Sequence, residues 1–103
     1  MSTLKLRSRQ QDGFTLVHVL IEHPMETGRR RDETTGALVP AHFIEQVRFE
    51  HNGQRVATCA LSTAVSQNPY LSIRFRGGKS GDKIRVSWSD NQGQHDSAET
   101  TVA

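Results

Sequence analysis

The sequence predicts an all-β domain, a sandwich or barrel of about seven short strands, and three observations carry that prediction. Turn-forming pairs recur along the whole chain: Asp12-Gly13, His23-Pro24, Thr35-Gly36, Asn52-Gly53, Asn68-Pro69, Gly77-Gly78 and Ser80-Gly81, with Asn91-Gln92-Gly93 after them. Several of the runs between these turns have apolar residues at every second position, as a half-buried strand requires. No window of helical length keeps an apolar stripe at three- and four-residue spacing without a breaker inside it.

The strands fall at residues 3–8, 14–23, 41–51, 54–62, 70–76, 83–90 and 94–102. The first precedes the Asp12-Gly13 turn. The second is apolar on both faces, with Leu16 and Leu20 on one and Val17, Val19 and Ile21 on the other. Such a strand is covered twice, by a second sheet and by something outside the domain. The third and fourth form a hairpin over 41–63 around Asn52-Gly53, because a type I′ turn needs positive φ at both positions. In its first arm Phe43, Val47 and Phe49 point one way, while Ile44, Gln46, Arg48 and Glu50 point mostly the other.

Asparagine and proline at 68–69 direct the chain into the fifth strand, where Leu71, Ile73 and Phe75 alternate with Ser72, Arg74 and Arg76. In the sixth, Ile84, Val86 and Trp88 alternate with Lys83, Arg85, Ser87 and Ser89. The seventh follows the 91–93 turn. Residues 24–40 make a long charged connection bounded by Pro and Gly, the kind of loop in which recognition concentrates.

At 103 residues the chain is one domain with one core. Only 34% of it is hydrophobic and its mean hydropathy is −0.60, so that core is thin or is completed against a partner subunit. Thirteen Lys and Arg against eleven Asp and Glu leave a formal charge of +2. The one dense basic run, Arg29-Arg30-Arg31, is followed at once by Asp32 and Glu33. Nucleic-acid binding calls for many clustered cations interleaved with aromatics, and this pattern argues against it.

A single cysteine excludes an intramolecular disulfide and a Cys-rich zinc site. Cys59 shares a strand face with Ala57 and Leu61, the setting of a core thiol rather than a reagent. Gly77-Gly78-Lys79-Ser80 lacks the upstream glycine of a phosphate-binding loop. Tyr70 and Trp88 read as core or interface aromatics. The N-terminus carries no apolar secretory segment, and Leu16–Ile21 is too short to span a bilayer. On those grounds alone the chain reads as cytoplasmic, with no membrane partner.

Two resemblances sharpen the reading. H-P-M-E-T-G at 23–28 followed by V-P-A-H-F-I-E at 39–45 resembles the iron-binding sandwich of superoxide reductases, with His23 and His42 matching its first two histidines. That site needs imidazoles around the iron and an axial thiolate, closed by a C-N-x-H segment. After Cys59 the next histidine is His95, so the iron site cannot be built. The plain reading of the imidazoles is hydrogen bonding at strand ends, and a weaker metal site at His23 and His42 stays open.

The fuller set, with H-N-G at 51–53, S-Q-N-P-Y-L-S-I-R-F at 66–75 and G-D-K-I-R-V-S-W at 81–88, resembles the SoxZ family from about Ile21 onward. The resemblance implies an immunoglobulin-like antiparallel β-sandwich over 13–103, behind an unrelated N-terminal extension at 1–12. It implies a non-catalytic subunit without cofactor that pairs with SoxY, whose C-terminal Gly-Gly-Cys-Gly-Gly arm carries thiosulfate-derived intermediates between periplasmic enzymes. Export would then occur in complex with the signal-bearing SoxY, replacing the cytoplasmic reading. His23, Pro24, Met25, Glu26, Arg29, Arg30, Arg31 and His42 are the expected partner-interface residues. A homodimer of the isolated chain, a degenerate superoxide-reductase-like metalloprotein and a free-standing adhesive sandwich all remain as alternatives.

Overall fold

Period-two alternation builds seven strands in the structure, a computed structural model that describes residues 2–103: β1 (Leu4–Gln11), β2 (Phe14–Ile21), β3 (Ile44–His51), β4 (Gln54–Ala60), β5 (Tyr70–Arg76), β6 (Lys83–Asp90) and β7 (His95–Thr101). All pairings are antiparallel. A three-stranded sheet, β1-β2-β5, packs on a four-stranded one, β4-β3-β6-β7. The crossings from β2 to β3, from β4 to β5 and from β5 to β6 pass between the sheets, the arrangement of immunoglobulin-like sandwiches.

Both two-residue hairpins have the backbone their sequences demand. Asn52 and Gly53 stand at φ 48° and 85°, and Asp12 and Gly13 at 53° and 82°, the positive values of a type I′ turn. Val17, Val19 and Ile21 of β2 face Val47, Phe49, Ile84 and Val86 across the core, each at 1% exposure or less. Burying such side chains contributes roughly 1.5–3 kcal/mol apiece.

Two expectations change. Leu4–Gln11 is a full strand paired with β2 from Leu4↔Ile21 to Gln11↔Phe14, so the stretch expected as an N-terminal extension holds an integral strand. Its Leu4, Leu6 and Ser8 share the core face, a pattern that the arginines beyond Leu6 obscure. The second change lies at the start of β3, where a bulge between Ile44 and Gln46 inserts a residue and shifts the phase. Ile44 therefore joins Val47 and Phe49 in the core, while Phe43 is only half-buried.

The two sides of the sandwich differ. On the β1–β7 side the N-terminus is clipped down: the Thr3 amide and hydroxyl both donate to Asp96 at 2.8 Å, and Trp88 Nε1 donates to the Thr3 hydroxyl at 3.0 Å. On the β4–β5 side Val56, Cys59, Leu61, Leu71, Ile73 and Phe75 remain half-buried. The outer face of β2 is open as well, with Leu16 half-buried and Leu20 38% exposed.

Candidate functional site

The alternation of β6 runs one step further than its hydrophobic residues. Ile84, Val86 and Trp88 face the core, and so does Asp90, which is 4% exposed. A buried carboxylate is costly unless hydrogen bonds replace its water. Asp90 has four. His23 Nε2 and His42 Nε2 lie 3.0 and 2.7 Å from its Oδ2, and the amides of Gln92 and Gln94 donate to Oδ1 at 3.0 and 2.9 Å. Burial opposes the charge, but the bonds from His23, the Gln94 amide, His42 and the Gln92 amide together hold its pKa below the ordinary carboxylate range.

Backbone geometry fixes the tautomer of one imidazole. Met25, at a positive φ of 48°, turns its N–H onto His23 Nδ1 at 3.1 Å. A ring nitrogen that accepts carries no proton, so the His23 proton resides on Nε2 and is donated to Asp90. Met25 itself is 5% exposed, and its sulfur accepts the Ile44 amide at 3.3 Å. His23 lies edge-on to His42 and to Trp88, with centroids 4.6 and 5.1 Å away. The cluster ties the start of the 22–43 connection, the entry to β3 and the β6–β7 turn to one carboxylate.

His23, His42 and Asp90 also offer ligand atoms within 4.8 Å of one another, the reach of a metal site. The protonation pattern disfavours that use. A histidine bound through Nε2 places its proton on Nδ1 and donates it to an acceptor. Here Nδ1 faces the N–H of Met25, a second donor. The geometry makes the cluster a hydrogen-bonded clamp.

The expected interface residues therefore divide. His23 and Met25 are buried in the clamp, and His42 is half-buried beside them. Pro24, Arg29, Arg30 and Arg31 are exposed and Glu26 is intermediate. Arg30 forks onto Glu26 at 2.6–3.0 Å, and Arg31 donates to the Gly36 carbonyl at 2.9 Å. The arginine run is thus partly engaged within its own loop. The sequence reading missed Asp90, although continuing the β6 alternation through Trp88 by one more step would have placed it on the buried face.

Cys59 lies on the inner side of β4 opposite Val47, half-buried against the core. A second histidine–carboxylate pair, His51 Nε2 to Asp82 Oδ2 at 2.8 Å, tethers the β3–β4 hairpin to the start of β6.

Three strands packed on four, with a buried carboxylate clamp at one end, define an immunoglobulin-like β-sandwich whose polar cluster fixes loops. The family model described as sulphur oxidation protein SoxZ matches residues 4–101. The chain belongs to the SoxZ family and so to the Sox sulfur-oxidation system. The match begins at the first residue of β1, in keeping with that strand's place in the domain. Among curated proteins none matches the chain.

Proposed function

We propose that this chain is the non-catalytic scaffold of a periplasmic sulfur-carrier heterodimer. Its partner is SoxY, whose C-terminal cysteine arm holds thiosulfate-derived intermediates covalently and presents them to successive enzymes. The observation that carries this reading is the SoxZ match over residues 4–101. Cys59 supports it: the chain's one thiol is packed against the core on β4, a poor position for a swinging carrier group. In this reading the chain reaches the periplasm by export with its signal-bearing partner. Purified with SoxY, it is expected to run as a single 1:1 species by size-exclusion chromatography with light scattering. Two separate monomer peaks at micromolar concentration would contradict the reading.

Transient docking to the pathway enzymes falls to the exposed part of the 24–40 loop. Arg29 is its freest cation, since Arg30 and Arg31 are held by Glu26 and the Gly36 carbonyl. Serine at all three positions is expected to leave the heterodimer intact and to slow turnover of the reconstituted pathway several-fold at low salt. The deficit should shrink as ionic strength rises, because exposed charges are screened over about 8–10 Å. Wild-type turnover by the triple variant at low salt would remove the loop from the transfer cycle.

A further inference from the structure

The two outward faces of the sandwich are built differently. Pairing register sets the side chains that β3, β4, β6 and β7 turn outward: Arg48, Glu50, Arg55, Lys83, Arg85 and Glu99 stand among Gln, Ser, Thr and His. Charges of both signs are mixed there. Arg85 lies 3.9 Å from Glu50 and 3.6 Å from Glu99. No large apolar side chain interrupts that face, which suits a surface that stays in water.

The outward face of the three-stranded sheet has the opposite character. Its central strand β2 presents Phe14, Leu16, His18 and Leu20. Flanking them are Lys5, Arg7 and Arg9 from β1, and Tyr70, Ser72, Arg74 and Arg76 from β5. No carboxylate is directed outward by these three strands, and none of the five cations joins an ion pair among the described residues. Arg74 and Arg76 rest over the Phe14 ring at 4.8 and 5.3 Å, which keeps their guanidinium groups on the face. Tyr70 and Leu20, at 57% and 38% exposure, are two of the three large hydrophobic residues that the fold leaves exposed among the described residues.

An apolar stripe between two rows of cations has the layout of a protein interface, with a dry centre and a charged rim. We propose that this face is the seat of the constitutive partner subunit, and that the partner meets it with an acidic surface bearing apolar side chains at its centre. The inference rests on the heterodimer reading above and names the surface that reading requires. Unpaired cations of one sign call for carboxylates opposite, which steer association and reject wrong partners. A second copy of this chain would set Arg7, Arg9, Arg74 and Arg76 against their own kind. A nucleic acid would gain little from Leu16 and Leu20, which offer neither a hydrogen bond nor a stacking plane. A groove of about 680 Å³ along β1, lined by Arg7, Arg9, His18, Thr100 and Ala103 among others, extends the basic rim to the sheet edge.

Charge reversal on the complex as it exists tests the assignment. Arg7→Glu, Arg9→Glu and Arg74→Glu together, in a full-length chain shown to be folded by circular dichroism, are expected to raise Kd for the purified SoxY-family partner by about 30-fold or more. Arg48→Glu with Arg55→Glu on the other outward face should change it by less than about two-fold. The wild-type affinity should also fall as salt rises. Equal affinity of the triple variant and wild type, or equal loss from the control variant, would overturn the assignment while leaving the heterodimer reading in place. A wild-type chain that ignores the partner would instead end the heterodimer reading. Tighter wild-type binding to duplex DNA than to the partner, abolished by the triple variant, would mark the face as a nucleic-acid site and overturn the assignment too.

Discussion

Replacing Asp90 with alanine is expected to remove about 3–5 kcal/mol of folding stability, read as a lower urea midpoint with an unchanged slope. The carboxylate is 4% exposed and receives four hydrogen bonds, so its loss strands the His23 and His42 ring protons and two turn amides at once. Each buried donor left without an acceptor costs about 1–3 kcal/mol, and water entering through the half-exposed His42 side offsets part of that sum. A domain of this size holds only about 5–15 kcal/mol in total. The same carboxylate sets an acid limit. Its folded pKa lies below the unfolded value of about 3.9, so its contribution is present above that pH and is lost as pH falls through the folded value. Asp82 and Asp96, lowered chiefly by His51 and by the Thr3 amide, act in the same direction. The stability that these three carboxylates contribute should therefore be undiminished from neutral pH down to about 4 and be lost below it. A variant lacking Asp90 should show a shallower acid transition.

Phe49→Ala should cost a similar amount, about 3–5 kcal/mol. Phe49 is the largest fully buried side chain, placed on the core side of β3 between Ala57 of β4 and Val86 of β6. Those neighbours are short and fixed by strand pairing, so they cannot swing in to fill the space. The loss combines the transfer free energy of the ring with that of the cavity left behind. Thermal unfolding of the variant beside the wild type measures it. A change under about 1 kcal/mol would mean that the half-buried β4–β5 side closes over the gap.

Strands were legible wherever one face is dry and the other wet. Leu71, Ile73 and Phe75, and Ile84, Val86 and Trp88, placed β5 and β6 to the residue, and Asn52-Gly53 fixed the hairpin between β3 and β4. The reading failed where the backbone departs from a two-residue repeat. The bulge at the start of β3 moved Ile44 inward, and no residue type at Ile44–Gln46 announces it. The end of β1 was hidden because Ser8 and Gln10 occupy inward positions that a hydrophobic pattern would not assign.

The histidines show a similar limit. His23 and His42 stood out as a pair in sequence, but their common partner lies 48 residues or more away along the chain, at the end of another strand. Only the fold brings Asp90 to them, and the Met25 amide on Nδ1 is what sets His23 to donate from Nε2 to that carboxylate instead of binding a cation. The proposed docking face was half visible: the two apolar sides of β2 pointed to an outer cover, while the cations around it come from β1 and β5 and gather only when the strands pair.

The central claim is that this chain holds a carrier in place and carries no sulfur itself. Intact-mass spectrometry of the heterodimer, purified with SoxY and exposed to thiosulfate and the pathway enzymes, tests it most directly. The account predicts a 1:1 complex in which every thiosulfate-derived mass increment resides on the partner, while this chain, with Cys59 packed against the core, keeps its unmodified mass. A sulfur-bearing adduct on Cys59 under those conditions would contradict it.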